Sequence, residues 1–86
     1  MDGKIGYKQV DNTTSVIKNT PAGFFGLSVV TGGNVSIYDG LSASGVLLFT
    51  KSAMTAGETV NFGSHGISAN TGLTVVTTGK VNVLYT

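Results

Sequence analysis

The chain has 86 residues, enough for one domain whose single modest core buries about 60–65% of the surface that the unfolded chain exposes. Only 10% of the residues are charged, against about 25% in an average soluble domain, arginine is absent, and five dispersed lysines leave a net charge of +1. Nucleic acid is thereby disfavoured as a partner, the lack of cysteine removes disulfides and thiolate metal sites, and no apolar run approaches the ~20 residues that cross a bilayer.

The opening residues, MDGKIGYKQV, lack the apolar stretch of a secretory signal, and the chain reads as soluble. Hydrophobic residues make up 41% of it in short alternating runs, a pattern that argues against disorder. Turn signals every eight to twelve residues enclose stretches rich in Val, Ile, Thr and aromatics, and no segment has a helical period. The expected fold is all-β: an antiparallel β-sandwich or jelly-roll-like barrel of about seven or eight short strands. Residues 1–86 form one domain, with residues 1–12 a candidate flexible or partner-contacting arm.

In chain order, the first expected strand is Lys4 to Val10, with Ile5 and Tyr7 on one face. Thr13 to Lys18 follows, and Pro21 and Gly23 suit a turn that folds it back as a hairpin onto Phe24 to Val30. Gly32-Gly33 tolerates the positive φ of a second tight hairpin, leading into Asn34 to Tyr38. The small polar stretch Asp39 to Gly45 connects to Val46 to Thr50, and Glu58 to Phe62 has Val60 and Phe62 on one face. A loop through His65 and Asn70 precedes Leu73 to Thr77, and a last hairpin at Thr78-Gly79 returns as Lys80 to Tyr85.

Strand alternation leaves apolar side chains without a place in the core. With Phe25, Leu27 and Val29 inward, Phe24 and Val30 point outward; Leu84 opposes Val81, Val83 and Tyr85; Val76 opposes Leu73 and Val75. The run Val46-Leu47-Leu48-Phe49 is apolar on both faces. Either the sandwich curls or loops cover central strands at these places, or Phe24, Val30, Leu47, Val76 and Leu84 are subunit-interface residues, since contiguous exposed apolar groups mark association surfaces.

Residues that carry chemistry are sparse. His65 is the only histidine, so one chain cannot form a two-histidine metal site, and Gly63-Ser64-His65-Gly66 reads as a loop tip. Gly26-Leu27-Ser28-Val29-Val30 starts like a nucleophile elbow, but Val30 stands where the closing glycine belongs and no helix follows. The acids Asp2, Asp11, Asp39 and Glu58 are dispersed, and Leu41 and Ala43 occupy positions that a calcium loop fills with oxygen ligands. Thirteen glycines fall in no phosphate-loop spacing and read as turn and bulge residues. The expectation is a non-enzymatic chain with no catalytic, cofactor or metal residues.

Residues 20 to 86 carry a recognisable pattern. Val35-Ser36-Ile37-Tyr38-Asp39-Gly40 with Ser42-Ala43-Ser44-Gly45, Gly66-Ile67 before Thr71-Gly72-Leu73-Thr74-Val75, and Gly79 with Val81-Asn82-Val83-Leu84-Tyr85 resembles a group of small β-sandwich virion structural proteins of tailed bacteriophages. The resemblance implies a capsid decoration, cement or tail-associated subunit, made in the host cytoplasm and located in the virion. It also implies a homo-oligomer, with a trimer favoured, bound to a major capsid or tail protein and to neither nucleic acid nor membrane. The alternative is a receptor- or carbohydrate-binding module of a tail or head fibre, although the three tyrosines, Tyr7, Tyr38 and Tyr85, fall on expected strands rather than loops and tryptophan is absent.

Overall fold

A computed structural model describes residues 5–63 and 66–86. Among them are nine strands and no helix: β1 (Gly6–Asp11), β2 (Thr14–Lys18), β3 (Ala22–Thr31), β4 (Gly33–Asp39), β5 (Val46–Met54), β6 (Thr59–Asn61), β7 (Ile67–Ala69), β8 (Leu73–Thr77) and β9 (Lys80–Tyr85). One sheet has the order β1-β9-β3-β6, with β7 also paired to β3, and the other has the order β2-β8-β4-β5. All pairings are antiparallel.

The pairings nest. β1 joins β9, β2 joins β8, β3 joins both β6 and β7, and β4 joins β5. The chain is thus one long antiparallel ribbon with β4–β5 at its tip, wrapped so that alternate segments fall in opposite sheets. This is a jelly roll in which β6 and β7, lying end to end along β3, share one strand position.

Three expected hairpins are replaced by crossings between sheets. β2 and β3, β3 and β4, and β8 and β9 are each split between the two sheets. The β3–β4 link is the single residue Gly32, too short for a two-residue hairpin loop. It packs against the β8–β9 link instead: a Cβ on Gly79 would stand 2.2 Å from the Thr31 carbonyl oxygen, so only glycine allows the two corners to meet. Thr78 ties them together, its amide donating to the Asn34 carbonyl at 3.0 Å and its hydroxyl accepting the Asn34 amide at 2.9 Å. The β4–β5 connection is a true hairpin.

The strand β7 lies where a loop was expected. Gly6–Asp11, within the stretch expected as a flexible or partner-contacting arm, form β1, whose six residues pair along β9 at a sheet edge. The start of the expected first strand at Lys4 lies outside the described residues, as do Asp2 and His65.

The core sits between the sheets. Leu27, Val29, Val81 and Val83 from one sheet meet Val35, Ile37, Leu73 and Val75 from the other, all buried. Phe24, Phe49 and Phe62 pack as a tilted triad with ring centroids 5.2 to 6.4 Å apart, a geometry that adds edge-to-face attraction to the area buried.

Phe24 corrects the parity argument: it is fully buried. The ladder between β3 and β9 shifts at this point, Phe24 opposing Tyr85 and Gly26 opposing Leu84, so Phe25 is an extra residue that resets the alternation. Phe25, expected inward, lies outside the core against Gly23 and Gly66. A second bulge explains the doubly apolar run in β5. Ile37 opposes Phe49 and Tyr38 opposes Leu47, which leaves Leu48 extra, and both Leu48 and Phe49 then pack on the core.

Candidate interaction faces

Residues directly opposite each other in an antiparallel ladder share a face, so the registers define what each sheet shows to the outside. On the outer side of the β2-β8-β4-β5 sheet, one row runs Val16–Thr74–Tyr38–Leu47 across all four strands. The neighbouring row runs Thr14–Val76–Ser36–Thr50. Val16 is 45% exposed and Leu47 48%, Val76 and Tyr38 are half-buried, and Thr74 is fully buried.

Thr74 is covered because the β4–β5 loop folds back over it. Its hydroxyl donates to the Gly40 carbonyl at 2.8 Å, and the Leu41 side chain lies over Gly72, two residues before it and just ahead of β8. Leu41 thereby joins this face, 53% exposed. The loop is held from below by Asp39, whose carboxylate accepts the backbone amides of Asn70 and Thr71, each at 2.9 Å, and more distantly that of Gly72. Those amide donors hold the Asp39 carboxyl below its ordinary value.

The outer side of the β1-β9-β3-β6 sheet has a different chemistry. Its rows are Tyr7–Leu84–Gly26–Asn61, Gln9–Asn82–Ser28–Thr59 and Asp11–Lys80–Thr31. Gln9 donates to Asn82 at 3.1 Å, and Lys80 stands 3.8 Å from Asp11. The apolar groups, Tyr7 and Leu84 with Ile5 beside them, gather at one end, and Val30, 45% exposed, projects near the other from a second bulge between Val29 and Thr31.

The expected interface residues therefore do not form one patch. Leu47 and Val76 lie on one broad face, Leu84 and Val30 on the opposite one, and Phe24 is in the core between them. Sequence reasoning missed Val16, Tyr38 and Leu41. Val16 was legible as outward by alternation with Ile17, whereas Leu41 joins the face only through the fold of its loop.

The described acids are each beside a local partner. Asp39 holds the 70–72 backbone, Asp11 is beside Lys80, and Glu58 pairs with Lys51 while accepting the Thr55 amide at 3.0 Å. The Lys51 and Thr55 donors lower the Glu58 carboxyl. Among the described residues no three His, Cys, Asp or Glu side chains come together as a metal site. A shallow cavity of about 640 Å³ opens where the end of β2 faces the end of β9, lined by Val16, Ile17, Lys18, Asn19, Thr20 and Tyr85.

Comparison of the chain with protein-family models, with curated proteins and with solved structures finds no significant match.

Proposed function

We propose that this chain is a non-enzymatic assembly subunit of a bacteriophage virion, a decoration, cement or tail-associated protein that buries its broad faces against other protein chains. The observation that carries the assembly role is the outer face of the β2-β8-β4-β5 sheet, where Val16, Leu41 and Leu47 stand about half exposed around a dry centre at Thr74. Separate apolar residues on a surface are ordinary, and the gathering of Val16, Tyr38, Leu41 and Leu47 on one face supports reading it as an association surface. A doubly wrapped sandwich whose described acids are each held by local partners suits a rigid building block. The virion setting rests on the turn and strand pattern of residues 35–45, 66–75 and 79–85.

Quantitative peptide mass spectrometry of purified phage particles from the source of this sequence tests the reading. The chain should be present in a fixed ratio to a capsid or tail subunit through successive purification steps. Loss of the chain from particles that keep their other proteins contradicts it.

A second reading, a carbohydrate-binding module, is favoured by the cavity in which Tyr85 meets Lys18, Asn19 and Thr20, an aromatic surface beside hydrogen-bonding groups. A glycan array supports it only if binding saturates and Tyr85→Ala abolishes it.

A further inference from the structure

We propose that the outer face of the β2-β8-β4-β5 sheet is a self-pairing surface, on which a second copy of this chain docks about a two-fold axis. The inference rests on the assembly role above and assigns one face of the molecule to one occupant.

Charge makes the first argument. A two-fold interface sets a surface patch against itself, so any charge near the axis meets its own like charge. The two rows of this face contain Val, Thr, Tyr, Leu and Ser and no side chain that is charged at neutral pH. The ionic side chains of these strands stand elsewhere: Lys51 is engaged by Glu58, Asp39 is turned to the 70–72 backbone, and Lys18 closes the end of β2 beside the cavity. The opposite face carries Asp11 and Lys80 in its rows, with a polar Gln9–Asn82 pair at its centre. That arrangement suits a partner with its own polar groups.

Area makes the second argument. The molecule measures 33 × 26 × 16 Å, and since two sheets packed face to face lie about 10 Å apart, its shortest dimension matches the stacking direction. A stable dimer needs roughly 800 Å² per partner, which a broad face can supply and a side only 16 Å deep cannot. Around the loop-covered Thr74, the side chains of Val16, Leu41 and Leu47 stand about half exposed and supply the apolar groups that a partner would bury.

Light scattering on size-fractionated protein, from micromolar to millimolar chain, tests the proposal with three variants. The unmodified chain should run at twice its 8.7 kDa mass. Val16→Lys and Leu47→Lys place like charges across the axis and should raise the dissociation constant by more than about tenfold. Tyr7→Lys on the opposite face should leave it unchanged. Both substituted positions are half exposed, so circular dichroism should show the fold intact; should either lysine variant unfold, Leu47→Ser serves in its place and should weaken pairing without a charge. A single-chain mass at every concentration, a trimer, or dissociation by Tyr7→Lys alone overturns the proposal. A monomer still found on purified particles would sink self-pairing and leave the assembly role standing, whereas a stable dimer absent from particles would do the reverse.

Discussion

The Leu41 side chain lies directly over Gly72, its Cδ2 2.8 Å from the position a Cβ on that glycine would take. The Lys18 carbonyl oxygen is 2.7 Å from the same point, so the space is closed by backbone as well as by a movable side chain. Gly72→Ala should therefore destabilise the chain by about 1–3 kcal/mol in urea unfolding, the cost of overpacking a closed site. Leu41→Ser removes only an exposed group and should change stability by less than about 0.5 kcal/mol. Equal effects of the two substitutions would mean that the loop does not close on β8 as described.

Thr74 is buried on what is nominally a solvent face, and its hydroxyl is committed to Gly40. Thr74→Val keeps the shape and removes the donor, and should cost about 1 kcal/mol. Urea unfolding of the two proteins gives the difference. No loss would show that the hydroxyl contributes nothing to holding the loop.

Phe24 separates two descriptions of β3. As an outward residue, which simple alternation requires, Phe24→Ala would change stability by less than about 0.5 kcal/mol. As a buried member of the aromatic triad it should cost about 3–5 kcal/mol. Gly26→Ala adds an independent check on the same bulge. Gly26 has φ 151°, and a Cβ there would stand 2.2 Å from the Val60 carbonyl oxygen, so the substitution should detach β6 from β3. Loss of amide protection confined to residues 59–61 would register it.

That contrast shows how much of the molecule could be read from its residues. Alternation located eight of the nine strands and put Leu27, Val29, Val75, Val81 and Val83 correctly in the core, because side-chain direction within a strand is a local property. Where one extra residue enters, at Phe25 and Leu48, the parity resets and nothing local announces it. β7 was missed because Ile67-Ser68-Ala69 is too short to establish a period. Strand partners were the least legible. Gly32-Gly33 and Thr78-Gly79 have the composition of tight hairpins, yet both turn the chain from one sheet to the other, and what decides between the two is their contact with each other across 46 residues of sequence, from Gly33 to Gly79. The candidate face was half legible for the same reason: Leu47 and Val76 follow from alternation, while their union with Val16 and Leu41 depends on the order β2-β8-β4-β5.

Asp39 makes the hairpin loop sensitive to acid. Its carboxyl is lowered in the folded chain by the Asn70 and Thr71 amides, so the folded state holds the proton less tightly than the unfolded one. The resulting stabilisation is fully present above the ordinary carboxylate range and is lost as pH falls through the lowered value. Glu58, lowered by Lys51 and the Thr55 amide, acts in the same direction. Thermal midpoints should therefore fall on the acid side of the ordinary carboxylate range, and Asp39→Asn should flatten that limb while lowering the midpoint at neutral pH. An unchanged acid limb in Asp39→Asn would show that the carboxylate is not what holds the 70–72 backbone.

The chain has no cysteine, so a single introduced thiol reports the environment of one position without competition. Leu47→Cys and Tyr7→Cys place that thiol on opposite broad faces, at positions 48% and 68% exposed in the single chain. Under reducing conditions, with each variant diluted as a trace into increasing concentrations of unmodified chain, the rate of thiol alkylation measures whether that face is covered. The account predicts that alkylation at position 47 slows as unmodified chain is added while the rate at position 7 stays constant. Rates at both positions that are independent of concentration up to the millimolar range would contradict it.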